Sequence, residues 1–213
     1  MAEYGYVFAN YTLFKRVFAA VVLCCIIGIV DAEPPPAAQE AGASIVAAAR
    51  QQVGKTLYYD PSYTRIAYPM GDVPIEIGVC TDVIIRALRD ALNMDLQQLV
   101  HRDMAAAFSE YPQNWGLKKP DPNIDHRRVP NLRKYFSRKG FSLKVTDNTA
   151  DYLPGDIITC TLPGNIPHIM IVSDKKTKNG TPLAIHNIGG GAKEENCLFY
   201  FPITGHYRVK PDK

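Results

Sequence analysis

The chain has 213 residues, of which 46% are hydrophobic and 21% are charged, and its formal net charge is +3. This composition can bury one substantial core, which excludes a largely disordered chain. The charge balance is too mild to indicate binding to nucleic acid.

The N-terminal segment has the pattern of an export signal. Lys15 and Arg16 precede an apolar run from Val17 to Val30, and Ala32 ends a stretch that resembles a cleavage site. The run is shorter than the roughly 20 residues that cross a bilayer as a helix. We therefore predict a signal peptide over residues 1–32, no membrane span after its cleavage, and, as the alternative, an uncleaved inner-membrane anchor.

Export implies an oxidising compartment, where cysteines often pair. After Ala32 the chain contains Cys80, Cys160 and Cys197. The simplest arrangement joins Cys160 to Cys197 as a disulfide and leaves Cys80 free, although three free thiols are equally compatible with the sequence.

Helices dominate the first part of the predicted domain. The proline-rich residues 33–42 are expected to form an extended linker to a single domain over residues 43–213. Helices are predicted from Ser44 to Val53, from Cys80 to about Asn93, after Asp95, and from Pro130 to Gly140. The turn-rich aromatic segments 58–63 and 68–74 are typical of loops near a site.

After Gly140 the pattern changes to β. Strands are predicted over residues 141–145, 157–162, 168–173, 183–187, 197–201 and 206–209, separated by Gly, Pro and Asn turn signals. Helices followed by an antiparallel sheet make an α+β arrangement.

Cys80 opens an amphipathic helix. The positive end of the helix dipole favours a thiolate, which is the nucleophilic form of cysteine. A lone cysteine at this position is usually a small buried apolar residue, so catalysis requires a base from elsewhere in the chain.

His168 and His186 are the candidate base and its orienting partner. A hairpin whose loop covers residues 175–179 would place the two directly opposite each other on one face of the sheet. A two-residue turn at Asn179-Gly180 would instead separate them. The register of this hairpin therefore decides whether the two rings meet.

These features resemble the successive blocks of the NlpC-like, papain-fold cysteine peptidases. Within that superfamily the sequence is most similar to the YijF-like bacterial family of unknown function. The similarity covers roughly residues 43–210 and rests on the blocks Tyr59-Asp60-Pro61, Tyr68-Pro69, Gly71-Asp72-Val73-Pro74, Gly78-Val79-Cys80-Thr81-Asp82, Asn123 to Val129, Gly155 to Ile158, His168 to Val172, Ala184-Ile185-His186 and Gly205-His206-Tyr207-Arg208.

The resemblance implies a papain-like fold in which Cys80 is the nucleophile, His168 the base and His186 the third member. The neighbours of Cys80 depart from the usual peptidase motif, because Val79 precedes it and Thr81 follows.

Two further groups are candidate substrate-binding residues. His126, Arg127 and Arg128 could clamp a substrate carboxylate, since guanidinium groups bind carboxylates in a bidentate manner; a salt-bridged loop is the alternative. Tyr59, Asp60 and Asp82 are expected to contribute to the cleft.

The resulting expectation is an exported cysteine hydrolase, periplasmic or secreted, that cleaves amide bonds in peptidoglycan stem peptides or related cell-wall material. Acyl transfer by the same thiol and a non-catalytic envelope-binding module are the alternatives. No cofactor and no metal are predicted, because the spacing of Cys80, His168 and His186 does not resemble a compact zinc site. The sequence does not specify the oligomeric state or the bond cleaved.

Overall fold

Helices precede a six-stranded sheet in the computed structural model, which describes residues 36–210. The helices are α1 (Pro36–Arg50), α2 (Cys80–Leu92), α3 (Leu96–Ala106) and α4 (Val129–Arg138). Two short strands, β1 (Tyr58–Tyr59) and β2 (Ile77–Gly78), pair in parallel just before α2. The predicted α+β class is confirmed.

The main sheet is antiparallel throughout and has the order β3-β8-β4-β5-β6-β7. Its strands are β3 (Ser142–Leu143), β4 (Ile157–Leu162), β5 (Ile166–Lys176), β6 (Pro182–Asn187), β7 (Ala192–Glu195) and β8 (Ile203–Tyr207). The long strands β4 and β5 lie at its centre, so the residues they carry are held from both sides.

The sheet separates two apolar clusters. On one face Ile169, Ile171 and Ile185 pack with α1, α2 and α4 in a cluster that includes Cys80. On the other face Met170 and Val172 pack with residues from the loop after β7. Alternation along a strand places His168 on the second face, with Met170.

Local sequence signals set the helix boundaries near the site. The carboxylate of Asp82 accepts the Val79 N–H at 2.6 Å and so caps α2, and Asn93 ends this helix in the left-handed conformation with φ of 54°. Asp95 caps α3 through the Gln97 N–H at 3.1 Å. The predicted helices from Cys80, after Asp95 and from Pro130 are confirmed.

The hairpin of β5 and β6 has a register that the sequence did not predict. Ile171 pairs with Ile185 and Val172 with Ala184, and the pairing shifts before Lys176. His186 is therefore level with Met170 and diagonal to His168, so the predicted direct pairing is wrong. A shift by two positions preserves the face, because side chains alternate with a period of two.

Three other expectations are wrong. Residues 36–42 are helical rather than an extended linker, since a proline is compatible with the first turn of a helix and Ala41 is buried. Residues 197–201 form a turn instead of a strand, in which the Tyr200 N–H donates to the Cys197 carbonyl. Cys160 and Cys197 are free thiols, as is Cys80.

The signal-peptide prediction and the start of the linker lie outside the described residues. Within residues 36–210, no helix combines the length and the apolar character needed to cross a membrane.

The contact between α1 and the turn before β4 yields a test of packing. A methyl group on Gly155, whose φ is +85°, would lie 2.5 Å from the Gly42 Cα atom, whereas Gly180, at φ +82°, has open space around it. Gly155→Ala should therefore lower the free energy of unfolding by about 3 kcal/mol, through both backbone strain and overlap. Gly180→Ala carries the strain alone and should cost about 1 kcal/mol in the same denaturant titration. Equal losses would contradict the close approach.

Candidate active site

A cleft of about 220 Å³ lies where α2 begins. Its walls come from the β1 segment, the start of α2, the loop before α4 and the start of β5. The lining residues are Tyr59, Pro61, Val79, Cys80, Trp115, Ile124, Arg127, Arg128, Val129, Pro130, Ile166 and Pro167.

Cys80 is the first residue of α2, and only 4% of its surface is exposed. Its sulfur accepts hydrogen bonds from the main chain of Ile169 and Thr81 and from the Tyr59 hydroxyl, and these lower its pKa. Burial outweighs them and, with the charge of Asp82, raises the pKa of Cys80 to about 11. The resting group is therefore a thiol, contrary to the expectation that the helix dipole would favour a thiolate.

His168 and His186 form a hydrogen-bonded pair. His168 Nε2 lies 2.9 Å from His186 Nδ1, and His186 Nε2 lies 3.0 Å from Glu195 Oε1. Because a carboxylate only accepts, His186 Nε2 carries the proton and its Nδ1 accepts from His168 Nε2–H. This chain leaves Nδ1 of His168 unprotonated and able to accept a proton.

Burial keeps the candidate base neutral. Burial, together with the neighbouring His186, lowers the pKa of His168 to about 3. The pKa of His186 is also lowered by burial, against the opposing effect of Glu195.

Cys80 reaches β5 next to His168, but the His168 side chain points to the other face of the sheet. The sulfur of Cys80 contacts the main chain of Ile169, the residue after His168, and Ile166 and Pro167 line the cleft beside it. Within residues 36–210, no hydrogen bond joins Cys80 Sγ to the His168 ring. The structure thus places Cys80 against the residue that follows the base candidate, while the His168 ring is hydrogen-bonded to His186 and does not line the cleft.

Asp82 and Arg127 are bound to each other at the edge of the cleft, and Arg127 is among its lining residues. Two parallel bonds of 2.9 Å join the carboxylate to the guanidinium, and both side chains are almost fully buried. The guanidinium also approaches the carbonyl groups of Asp60 and Ser62 at 3.5 Å. This pair therefore fixes the start of α2 against the β1 segment.

Arg128 remains on the cleft wall. Its guanidinium lies 4.0 Å from the centre of the Trp115 ring and donates to Asp125 at 3.0 Å. His126, by contrast, is buried away from the cleft lining, and burial lowers its pKa to about 4. Of the three residues of the predicted clamp, Arg127 and Arg128 line the cleft, and Arg127 is already paired with Asp82.

Tyr59 and Asp60 have different positions. Tyr59 lines the cleft and its hydroxyl contacts the Cys80 thiol. The Asp60 carboxylate accepts the Ser62 N–H at 2.9 Å, which lowers its pKa, and it is not among the lining groups.

Three residues near the site were missed. Trp115, the single tryptophan of the chain, lies in an irregular polar segment, and this composition was an available signal. For Glu195 and Cys197 the sequence contained no such signal, because their approach to His186 depends on the pairing of β6 with β7.

Comparison with known proteins gives a family and a fold. A family model described as a domain of unknown function, DUF1287, matches residues 46–209. The uncharacterized protein YijF of Escherichia coli K12 is 57% identical over 160 residues, which cover 75% of this chain and 78% of YijF.

Two solved structures are similar in fold. An N-acetylmuramoyl-L-alanine amidase from Bacteroides uniformis aligns with a TM-score of 0.51 at 13% identity, over 80% of this chain and 99% of the amidase. NlpC1 from Trichomonas vaginalis aligns with a TM-score of 0.42 at 12% identity, over 78% of this chain and 43% of NlpC1. The predicted NlpC-like fold and the predicted YijF-like family are confirmed.

The buried thiol makes a prediction about pH. With a pKa of about 11, Cys80 should be thiolate in about one molecule in a thousand at pH 8, and alkylation should accelerate about tenfold per pH unit up to pH 10. Peptide mapping after iodoacetamide treatment of the folded chain measures this rate. Cys160 and Cys197 serve as internal controls and should react more slowly, since neither lines the cleft. A midpoint below pH 8.5 would contradict the resting thiol.

The Asp82–Arg127 pair makes a prediction about stability. Arg127→Met leaves a buried carboxylate without its partner, which should lower the free energy of unfolding by about 3–5 kcal/mol. Lys134→Met, which removes an exposed pair with Glu110, is the matched control and should leave the unfolding midpoint in urea nearly unchanged. Similar midpoints for the two variants would refute the anchoring role of Arg127.

Proposed function

The chain belongs to the DUF1287 family, and from this premise we propose that it is an exported cysteine hydrolase that cleaves amide bonds in peptidoglycan stem peptides or related cell-wall peptides. One observation carries the proposal: Cys80 begins a helix at the floor of a cleft, against the strand that holds His168. The likeness of fold to an amidase supports the same class of reaction.

The reaction begins with Cys80 as a neutral thiol and His168 as a neutral imidazole. As the sulfur of Cys80 attacks the amide carbon, its proton passes to Nδ1 of His168, which the hydrogen bond to His186 leaves free. Main-chain N–H groups at the start of α2 stabilise the oxyanion. The leaving amine takes the proton from His168, a thioester forms, and water hydrolyses it with His168 again as the base.

The high thiol pKa and the low imidazole pKa favour proton transfer during attack over a preformed ion pair. His168 must approach the sulfur when substrate fills the cleft, and catalytic hydrogen bonds often tighten only in that complex. His186 and Glu195 then stabilise the protonated ring of His168.

The cleft walls support binding of an anionic peptide. Arg128 lies on the wall with its guanidinium 4.0 Å from the centre of the Trp115 ring, and the guanidinium N–H groups that do not bond Asp125 can donate to a substrate carboxylate. Tyr59 and Ile166 supply apolar surface beside it. Stem peptides carry carboxylates, the group that a guanidinium on this wall would bind.

A second candidate is a non-catalytic module that holds a cell-wall peptide in the same cleft. The raised pKa of Cys80 favours it, because a protonated, buried thiol is a weak nucleophile.

The decisive experiment incubates the purified full chain with soluble peptidoglycan fragments and identifies the products by mass spectrometry. Cys80→Ala should abolish product formation, and His168→Ala should reduce the rate by about 10²–10⁴-fold. Cys160→Ala, which removes another buried thiol, is the control and should retain activity. An added amine acceptor would reveal acyl transfer as a second product.

Identical product profiles for the wild type and Cys80→Ala would eliminate the hydrolase. Calorimetric binding of the same fragments with equal affinity by both proteins, without turnover, would instead establish the binding module.

A further inference from the structure

Three ligating side chains converge behind the imidazole pair. Cys197 Sγ lies 3.2 Å and Glu195 Oε1 lies 3.0 Å from Nε2 of His186, and the three atoms all lie within 4.8 Å of one another. We propose that His186, Glu195 and Cys197 form a binding site for a divalent transition-metal cation, with Zn²⁺ as the best match.

The spacing of the three atoms suits a tetrahedral ion. Zinc bonds of about 2.0–2.3 Å place neighbouring ligand atoms roughly 3.3–3.6 Å apart. The observed separations from His186 Nε2 are a few tenths of an ångström shorter, so a cation would be admitted by a small outward movement of the side chains.

The main chain holds the three residues in place. His186 pairs with Lys193 and Ala184 with Glu195 in the β6–β7 ladder, which sets Glu195 beside the ring. The Cys197 N–H donates to the Glu195 carbonyl at 3.1 Å and closes a tight turn. The cluster therefore rests on backbone hydrogen bonds and not on flexible surface side chains.

The hydrogen bond to Glu195 uses the one proton of His186 Nε2 and leaves the nearby Cys197 sulfur without a bond from that nitrogen. A single ring nitrogen offers either one proton or one lone pair, yet Nε2 of His186 faces both a carboxylate oxygen and a sulfur. A cation interacts favourably with all three atoms at once and displaces the thiol proton.

Charge supports the same assignment. The neighbouring Glu194 is bound by Arg50 and Lys175, whereas for Glu195 the described part of the chain offers only the ring of His186 as an ionic partner. The Glu195 side chain is 45% exposed while His186 is 2% exposed, so an ion can approach from the carboxylate side and keep water as a fourth ligand. One nitrogen, one oxygen and one sulfur donor favour Zn²⁺ over Mg²⁺ or Ca²⁺.

Cation binding would reverse the hydrogen bond between the rings. With the lone pair of His186 Nε2 on the metal, its Nδ1 carries the proton and donates to His168 Nε2. The neutral His168 ring then holds its own proton on Nδ1, the position that would otherwise accept from Cys80. The cation is therefore expected to inhibit hydrolysis, a consequence that rests on the proposed function.

The test of the site uses Co²⁺ and Zn²⁺ with the metal-free full chain and needs no activity. One Co²⁺ per chain should produce a thiolate-to-cobalt charge-transfer band that Zn²⁺ abolishes. Cys197→Ser should lose the band, and Glu195→Gln should weaken affinity at least about tenfold while leaving the fold intact. Glu194→Gln and Cys160→Ser are matched controls and should bind as the wild type does.

A band that disappears in Cys80→Ser but persists in Cys197→Ser would overturn the assignment, as would the absence of Co²⁺ binding. Equal affinity of Glu195→Gln and Glu194→Gln would also overturn it.

If the site binds metal, Zn²⁺ should slow peptidoglycan hydrolysis more in the wild type than in Glu195→Gln; equal slowing would refute inhibition through His186. A chain that binds cobalt but cleaves no fragment in its metal-free form would reject the proposed function and leave the metal site standing.

Discussion

The position of Cys80 depends on the buried carboxylate of Asp82. This group caps α2 through the Val79 N–H and forms two bonds to Arg127, while the Thr81 hydroxyl donates to the Arg127 carbonyl at 3.0 Å. Burying two charges is costly unless both are fully paired, so these bonds leave the start of the helix little freedom. The Asn187 side chain, which donates to the Gly78 carbonyl at 3.0 Å, connects the same point to the main sheet.

Features set by residues close together in the sequence could be predicted, and features set by contacts between distant residues could not. The start of α2 and the cap at Asp95 follow from local signals, and both were predicted. The side-by-side placement of His168 and His186 survived a wrong register, because any even shift keeps two strand residues on one face. The segment 197–201 was wrongly predicted to be a strand. Its apolar residues pack into the core from a turn, and their composition is that of a short strand. The burial that raises the pKa of Cys80 is likewise a property of packing across the fold.

The three cysteines show why burial and position must be considered together. Burial raises the pKa of Cys160 and of Cys197 to about 12 and that of Cys80 to about 11, so acidity barely separates them. Cys80 differs because it alone of the three lines the cleft and begins a helix. Cys80 is thus a candidate nucleophile because it is accessible from the cleft and lies against the strand that carries His168. The protonated sulfur of the resting thiol does not itself favour attack.

The ring of His186 connects His168 to Glu195. A neutral imidazole carries one proton, so whatever occupies Nε2 decides whether Nδ1 donates to His168 or accepts from it. Alternation along β7 directs Glu195 to this nitrogen and Glu194 to Arg50 on the opposite face. A carboxylate with no contact to the cleft can therefore set the protonation site of the candidate base, and a cation bound beside it would set the opposite one.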